Sequence, residues 1–165
     1  MQEMFETMYA AKGIGLAANQ VNLPYRLFVV NDKGDPAEKD RELVFINPVL
    51  SNKKGMVEEE EGCLSLPGLF RGVKRPEFVT VAAYDLSGKP VRMDLDGLLA
   101  RIIQHENDHL DGVLFTDRLT VTQKADVRQA LEEFEVEFKQ KQSLGEIPDD
   151  AAIAARLVEL EAARC

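Results

Sequence analysis

One short segment restricts the fold of this chain more than any other. Residues 104–110 read QHENDHL and contain the pattern His-Glu-x-x-His. Residues four apart on a helix lie on nearly the same face, so His105 and His109 would present both imidazoles to one side. Two imidazoles so placed can occupy two corners of a metal tetrahedron, with Glu106 close enough to take a proton from water. The apolar residues GLLARII just before them predict a buried helix over Gly97–Leu110.

A third ligand is needed, and the sequence offers two sources. Metzincin proteases use a further downstream histidine, but the chain contains only these two. Cys63, in the segment EGCLSLPG, would complete a Cys-His-His set with one open position, as in catalytic rather than structural sites. A glutamate from a downstream helix is the alternative. Taken alone, Cys63 is better explained as a buried apolar thiol than as a ligand, and Cys165 is an exposed bystander.

Residues 13–20, GIGLAANQ, predict a tight loop, because two glycines two positions apart suit a sharply bent backbone. The spacing does not match a dinucleotide-binding loop. A functional interpretation is a backbone edge that a substrate approaches, with the Gln20 amide as a donor to a reacting carbonyl. A closely packed turn without function explains the loop equally well. The glutamates at 58–61 predict solvated surface, and only Glu61, beside Gly62, suggests more.

The order of the predicted elements places strands before long helices, which favours an α+β fold over a parallel α/β sheet. The chain length predicts one domain, with a catalytic part at 1–142 and an acidic extension with a short helix at 143–165. The predicted elements are an opening helix that ends at Gly13, strands at 25–30 and 43–50, an edge strand within 51–61, a hairpin of 73–84 with Pro90–Leu95, and helices at Gly97–Leu110, at 122–142 and after Asp149.

Charge and hydropathy exclude several classes of partner. Asp and Glu number 29 against 20 Lys and Arg, and the net charge of −9 opposes binding to nucleic-acid phosphates. No apolar run reaches the roughly 20 residues needed to span a bilayer. The first ten residues lack the basic start of a signal peptide. The sequence therefore predicts a soluble cytoplasmic protein that binds neither nucleic acid nor membrane.

Taken together, GIGLAANQ, EGCLS and QHENDHL resemble the three signature motifs of the peptide deformylase family, in that family's order, and the resemblance extends over residues 1–119. It implies antiparallel sheets around a central metal-binding helix, followed by a C-terminal helix. It also implies a metal-dependent hydrolase that removes the formyl group from the N-terminal formyl-methionine of newly made polypeptides. The implied cofactor is one divalent ion, Fe(II) by preference, with Zn(II), Ni(II) or Co(II) able to replace it.

The resemblance also implies roles for individual residues. Cys63, His105 and His109 would be the metal ligands, and Glu106 the general acid and base.

Oxyanion donors and substrate contacts follow from the same motifs. Gln20 and the backbone N–H of Leu64 would hold the oxyanion. The substrate main chain would lie beside the edge Gly13-Ile14-Gly15, with its methionine side chain in an apolar pocket near Leu98 and Ile102.

The chain departs from the family pattern at both ends. Members usually carry a few tens of residues before the first helix, so the resemblance implies a chain that is shortened at its N-terminus. Such a chain would keep every predicted site residue, but its fold would be less stable than that of a chain extended upstream. Some members dock on the ribosome through a basic C-terminal helix. Here residues 122–142 hold four positive against five negative side chains, which predicts a transient contact at most. The implied location is the bacterial cytoplasm, or an organellar matrix or stroma after removal of a targeting segment.

Two other interpretations compete with this one. The same helix with a glutamate as third ligand would form a zinc endopeptidase, and replacing Cys63 would then leave the metal in place. A non-catalytic metal-binding or interaction domain would show no turnover at all.

Overall fold

The structure, a computed structural model, describes residues 1–163, so Cys165 lies outside the described residues. Within them the chain forms seven strands and four α-helices. The strands are β1 Gly15–Ala17, β2 Leu27–Val30, β3 Leu43–Lys54, β4 Val57–Cys63, β5 Leu66–Arg75, β6 Phe78–Tyr84 and β7 Pro90–Leu95. The helices are α1 Gln2–Ala10, α2 Gly97–Leu110, α3 Val121–Ser143 and α4 Asp150–Ala162.

The strands form two antiparallel sheets, which confirms the predicted α+β class. One sheet has five strands in the order β1-β2-β3-β6-β7, and the other is the hairpin of β4 and β5. Strand β1 therefore lies at an edge of the larger sheet. None of the helices at residues 1–163 is long and apolar enough to cross a membrane.

Helix α2 connects the two sheets because its two faces differ in chemistry. Ile102 and Ile103 are buried with Phe28, Phe45 and other side chains of the five-stranded sheet. The opposite face carries polar groups that contact the β4–β5 hairpin, which packs in turn on α3 around Val73. The His-Glu-x-x-His motif consequently lies between the two sheets.

The helices match their predicted bounds closely, and several strands do not. Asp149 caps α4 by accepting a 2.8 Å hydrogen bond from the Ala152 N–H, as predicted. The expected loop at 13–20 is wrong in part, since residues 15–17 are strand β1 and pair antiparallel with β2. The single strand expected at 73–84 is also wrong, because it spans the end of β5 and the whole of β6. Pro76 separates the two, since proline has no N–H for the ladder.

Candidate metal centre and catalytic cleft

Three donor atoms meet where the end of β4 contacts α2. Cys63 Sγ lies 3.3 Å from His109 Nε2, and the Nε2 atoms of His105 and His109 are 3.2 Å apart. All three donors fall within 4.8 Å of one another. Nitrogen and sulfur donors on one tetrahedral ion are about 3.4–3.6 Å apart, so the cluster fits a single divalent metal.

The sulfur is already in the form that binds metal. Burial would raise the pKa of Cys63, but hydrogen bonds with His105 and His109 outweigh burial and lower that pKa to about 5. Cys63 is therefore a thiolate at neutral pH. Burial would lower the pKa of His105, but hydrogen bonds with Cys63 and Glu61 outweigh burial and raise that pKa to about 10. Metal binding must release the proton of this imidazole.

Glu106 is a buried group that lines the same cleft as Cys63 and His105. Its carboxylate is 4% exposed, and its Oε2 has no hydrogen-bond partner among the described residues. Burial is the main cause that raises the Glu106 pKa to about 7. An unpartnered buried oxygen is costly unless a bound species satisfies it. This atom is therefore available to a species bound in the cleft that Glu106 shares with Cys63 and His105.

Gln20 presents its amide to the cluster in one fixed orientation. Its Oε1 accepts a 2.8 Å hydrogen bond from the Ala17 N–H. The Nε2 group therefore faces the other way, 3.0 Å from Ser65 Oγ and 3.8 Å from Cys63 Sγ. The side chain predicted as an oxyanion donor has its N–H groups directed at the site. The sequence did not predict that Ser65 would accept a hydrogen bond from Gln20.

A buried network of charges orients His105 from behind. Glu61 contacts His105 Nδ1 at 3.1 Å and forms two bonds with Arg75, at 2.6 and 2.8 Å. Arg101 donates to the same carboxylate at 2.5 Å, and Arg75 also reaches Asp108 at 2.7 Å. Burial alone would raise the Glu61 pKa, but bonds from His105 and Arg75 lower that pKa to about 2. The network fixes the ring so that Nε2 faces the donor cluster.

Sequence reasoning noticed only one member of this network. Glu61 stood out because it lies two residues from Cys63, whereas Arg75, Arg101 and Asp108 were missed. The one available signal was Arg101, a charge inside the apolar run GLLARII.

A cleft of about 670 Å³ opens onto the cluster between β1 and the β4–β5 hairpin. His109 is buried below it, at 4% exposure. Every residue predicted to contact substrate or oxyanion lines the cleft, namely Gly13, Ile14, Gly15, Gln20, Leu64, Leu98 and Ile102.

Comparison with known proteins gives a consistent result. Residues 1–125 match the family described as polypeptide deformylase. A peptide deformylase of Rhodopirellula baltica is 45% identical over 160 residues, which cover 97% of this chain and 79% of the relative. One from Chromobacterium violaceum is 48% identical over 135 residues, covering 82% and 79%.

Solved structures agree with the sequence matches. The crystal structure of peptide deformylase from Plasmodium falciparum has a TM-score of 0.81 at 40% identity, covering 84% of this chain and 81% of that one. Arabidopsis thaliana peptide deformylase 1B, in complex with an inhibitor, has a TM-score of 0.81 at 42% identity, covering 86% and 78%.

Proposed function

The chain belongs to the peptide deformylase family, metal-dependent hydrolases that remove the formyl group from newly made polypeptides, and from this premise we propose which residues perform the reaction. Cys63, His105 and His109 hold one divalent ion. Thiolate and imidazole donors suit Fe(II), Zn(II), Ni(II) and Co(II), and we propose Fe(II) because the family resemblance implies it. The ion, when bound, supplies Lewis acidity that polarises a carbonyl and lowers the pKa of water.

Glu106 carries the proton. Its unpartnered Oε2 takes a proton from the water that attacks the formyl carbon, and later gives that proton to the departing α-amine. A buried carboxyl with a pKa raised toward neutrality suits both transfers, because neither protonation state is strongly favoured.

Two donors hold the oxyanion that forms at the formyl carbon. The Gln20 amide is already oriented by Ala17, and the backbone N–H of Leu64 directly follows Cys63. Donors fixed before the reaction stabilise developing charge without reorganising, and one such donor is typically worth ~10²–10³ in rate.

The substrate main chain adds to the sheet beside Gly13, Ile14 and Gly15. This assignment is supported by the position of β1 at an edge of the five-stranded sheet, where strand addition is open to a peptide. The methionine side chain enters the apolar part of the cleft at Leu98 and Ile102. Main-chain recognition makes the enzyme tolerant of the sequence that follows the methionine.

The observation that carries this proposal is the convergence of three metal donors with the unpartnered oxygen of Glu106. The test compares amine release from formyl-Met-Ala-Ser and acetyl-Met-Ala-Ser, under anaerobic conditions with Fe(II) or with Ni(II), alongside metal analysis. We expect one metal per chain and turnover of the formyl peptide alone. Cleavage of internal peptide bonds would indicate an endopeptidase, and metal binding without turnover would indicate a non-catalytic domain.

We propose that residues 1–142 suffice for catalysis and that 143–165 form an extension, because the assigned residues lie between Gly13 and His109. The substrate places the protein where chains start with formyl-methionine, in the bacterial cytoplasm or an organellar matrix or stroma. Any contact with the ribosome is transient, since residues 122–142 have no net positive charge.

A further inference from the structure

The turn that joins β4 to β5 contacts the loop that carries Gln20. The turn consists of Leu64 and Ser65 and directly follows Cys63. Ser65 Oγ accepts a 3.0 Å hydrogen bond from Gln20 Nε2, and the backbone N–H of Ser65 donates to Cys63 Sγ at 3.4 Å. Through Ser65, the turn that supplies the Leu64 N–H is therefore joined to the Gln20 amide.

The amide of Gln20 needs two contacts to hold a fixed plane. The last torsion of a glutamine side chain is broad, so it does not fix the amide by itself. The 2.8 Å hydrogen bond that Oε1 accepts from the Ala17 N–H holds one end of the amide. The plane can still turn about this end until a second group binds Nε2. Ser65 Oγ is that second group.

The two contacts leave one N–H of Gln20 for the substrate. A primary amide carries two hydrogens on its nitrogen. Ser65 Oγ accepts one of them, and the same nitrogen lies 3.8 Å from Cys63 Sγ in the donor cluster. Because Gln20 also lines the cleft, the remaining N–H is available to an oxyanion that forms there.

We propose that Ser65 is a positioning residue for the oxyanion donor Gln20, a role that rests on the proposed deformylase function. The cleft-lining residues do not include Ser65, so it acts through Gln20. A donor held in place before the reaction stabilises developing charge without reorganising, and Ser65 thereby speeds the chemical step. Its side chain is exposed, so the same bond adds little to the stability of the fold, because water would replace it.

The test measures kcat and KM of the Ni(II)-loaded enzyme for formyl-Met-Ala-Ser, alongside metal content and Tm. Ser65→Ala should lower kcat about fivefold, as for the loss of one neutral hydrogen bond, and leave KM unchanged, because the oxyanion is absent from the ground state. Metal content and Tm should match wild type. Ser65→Thr keeps the hydroxyl and should keep the wild-type kcat.

Ser87→Ala is the matched control for loss of a turn serine. Ser87 is an exposed residue of the β6–β7 turn, and its hydroxyl donates to Asp85 at 2.7 Å. It lies outside the residues that line the cleft. We expect Ser87→Ala to keep the wild-type kcat and KM.

A double-mutant cycle separates the positioning of Gln20 from a general effect on the turn. In a Gln20→Ala background, Ser65→Ala should cause no further loss of kcat, because the group that Ser65 orients is then absent. A purely structural role of Ser65 would instead lower kcat by the same factor in both backgrounds.

Each outcome has a separate meaning. An unchanged kcat in Ser65→Ala overturns the positioning role while the deformylase function stands. The role is also overturned by an equal loss in the Gln20→Ala background, by a loss that Ser65→Thr shares, or by a lower metal content in Ser65→Ala. Failure of the wild-type enzyme to hydrolyse formyl-Met-Ala-Ser overturns the proposed function, and the role of Ser65 with it.

Discussion

Gly15 and Glu106 are in direct contact: a methyl group at residue 15 would lie 2.4 Å from Glu106 Oε1 and 2.8 Å from its Cδ. Glu106 is buried on α2, next in sequence to His105, so its side chain has little room to move aside. A glycine at residue 15 therefore leaves the space that the carboxylate occupies.

The first prediction is that Gly15→Ala reduces kcat/KM by about 10²-fold while the metal content stays at one per chain, since a displacement near 1 Å has this effect on catalysis. Gly72→Ala is a matched control. Its methyl would lie 2.8 Å from Glu58 Oε1, but that side chain is exposed and moves easily. Full activity in Gly15→Ala would show that the position of Glu106 does not limit the rate.

Replacing a proposed ligand should remove the metal. Cys63→Ala, His105→Ala and His109→Ala each leave two donors, and we expect less than a stoichiometric metal in purified protein by elemental analysis. Cys165→Ala is the control for the loss of a thiol and should keep the metal. A full equivalent in Cys63→Ala would assign the third ligand to another residue.

Glu106→Gln should separate chemistry from binding. The amide keeps the size of the side chain but cannot accept a proton, so turnover should fall by at least ~10². Metal content should match wild type because Glu106 is not among the three proposed ligands. Near-native turnover would remove Glu106 from its role as general base.

Glu106 should also make the stability of the protein depend on pH when the metal has been removed with a chelator. Burial raises its folded pKa from 4.5 to about 7, so the folded state holds this proton more tightly than the unfolded state. The stabilisation is complete below pH 4.5 and is lost as pH rises through 7. Across this window the Tm of wild type should fall relative to Glu106→Gln. Parallel Tm curves would contradict the raised pKa.

Arg75→Met should destabilise the fold strongly. Arg75 is 2% exposed and bonds both Glu61 and Asp108, so its loss leaves buried carboxylates without this partner. Breaking such a pair typically costs about 3–5 kcal/mol, or on the order of 10 °C in Tm. Arg128→Met is the control, because the Arg128 side chain is 79% exposed and its pair with Glu132 contributes less than about 1 kcal/mol. Equal Tm losses would show that burial of the pair is unimportant.

How well the sequence predicted each element depended on how local its signal was. The bounds of α2 were confirmed because an apolar face and a stop at Asp111-Gly112 mark a helix within one segment. Strand β5 was largely missed because Pro67, Gly68 and Gly72 disfavour a strand, and its pairing with β4 and packing on α3 are not visible in the local sequence. The strand at residues 15–17 was missed for the same reason. Two glycines favour a turn, and the pairing with β2 that makes this segment a strand is not visible in the local sequence.

The candidate site shows the same difference between residues with a local sequence signal and residues that depend on long-range packing. Helical spacing alone predicted two donors and a base within residues 105–109, whereas Cys63 taken by itself was better explained as a buried apolar thiol. The contacts of Arg75 join residues 14 and 33 positions apart. No local pattern predicts that β5 and α2 will pack together, so a single sequence does not reveal this support.

The positions of Cys63 and His109 would give a metal bound there a role in stability as well. They are 46 residues apart along the chain and belong to different layers of the fold. An ion bound by both is a reversible cross-link that closes a long loop and reduces the entropy of the unfolded ensemble. Its binding free energy then adds to that of folding, so a chelator would lower the free energy of unfolding, although the Arg75 and Arg101 ion pairs still join the hairpin to α2. Metal supply in the cell would therefore set how long this chain resists proteases, in addition to how fast it works.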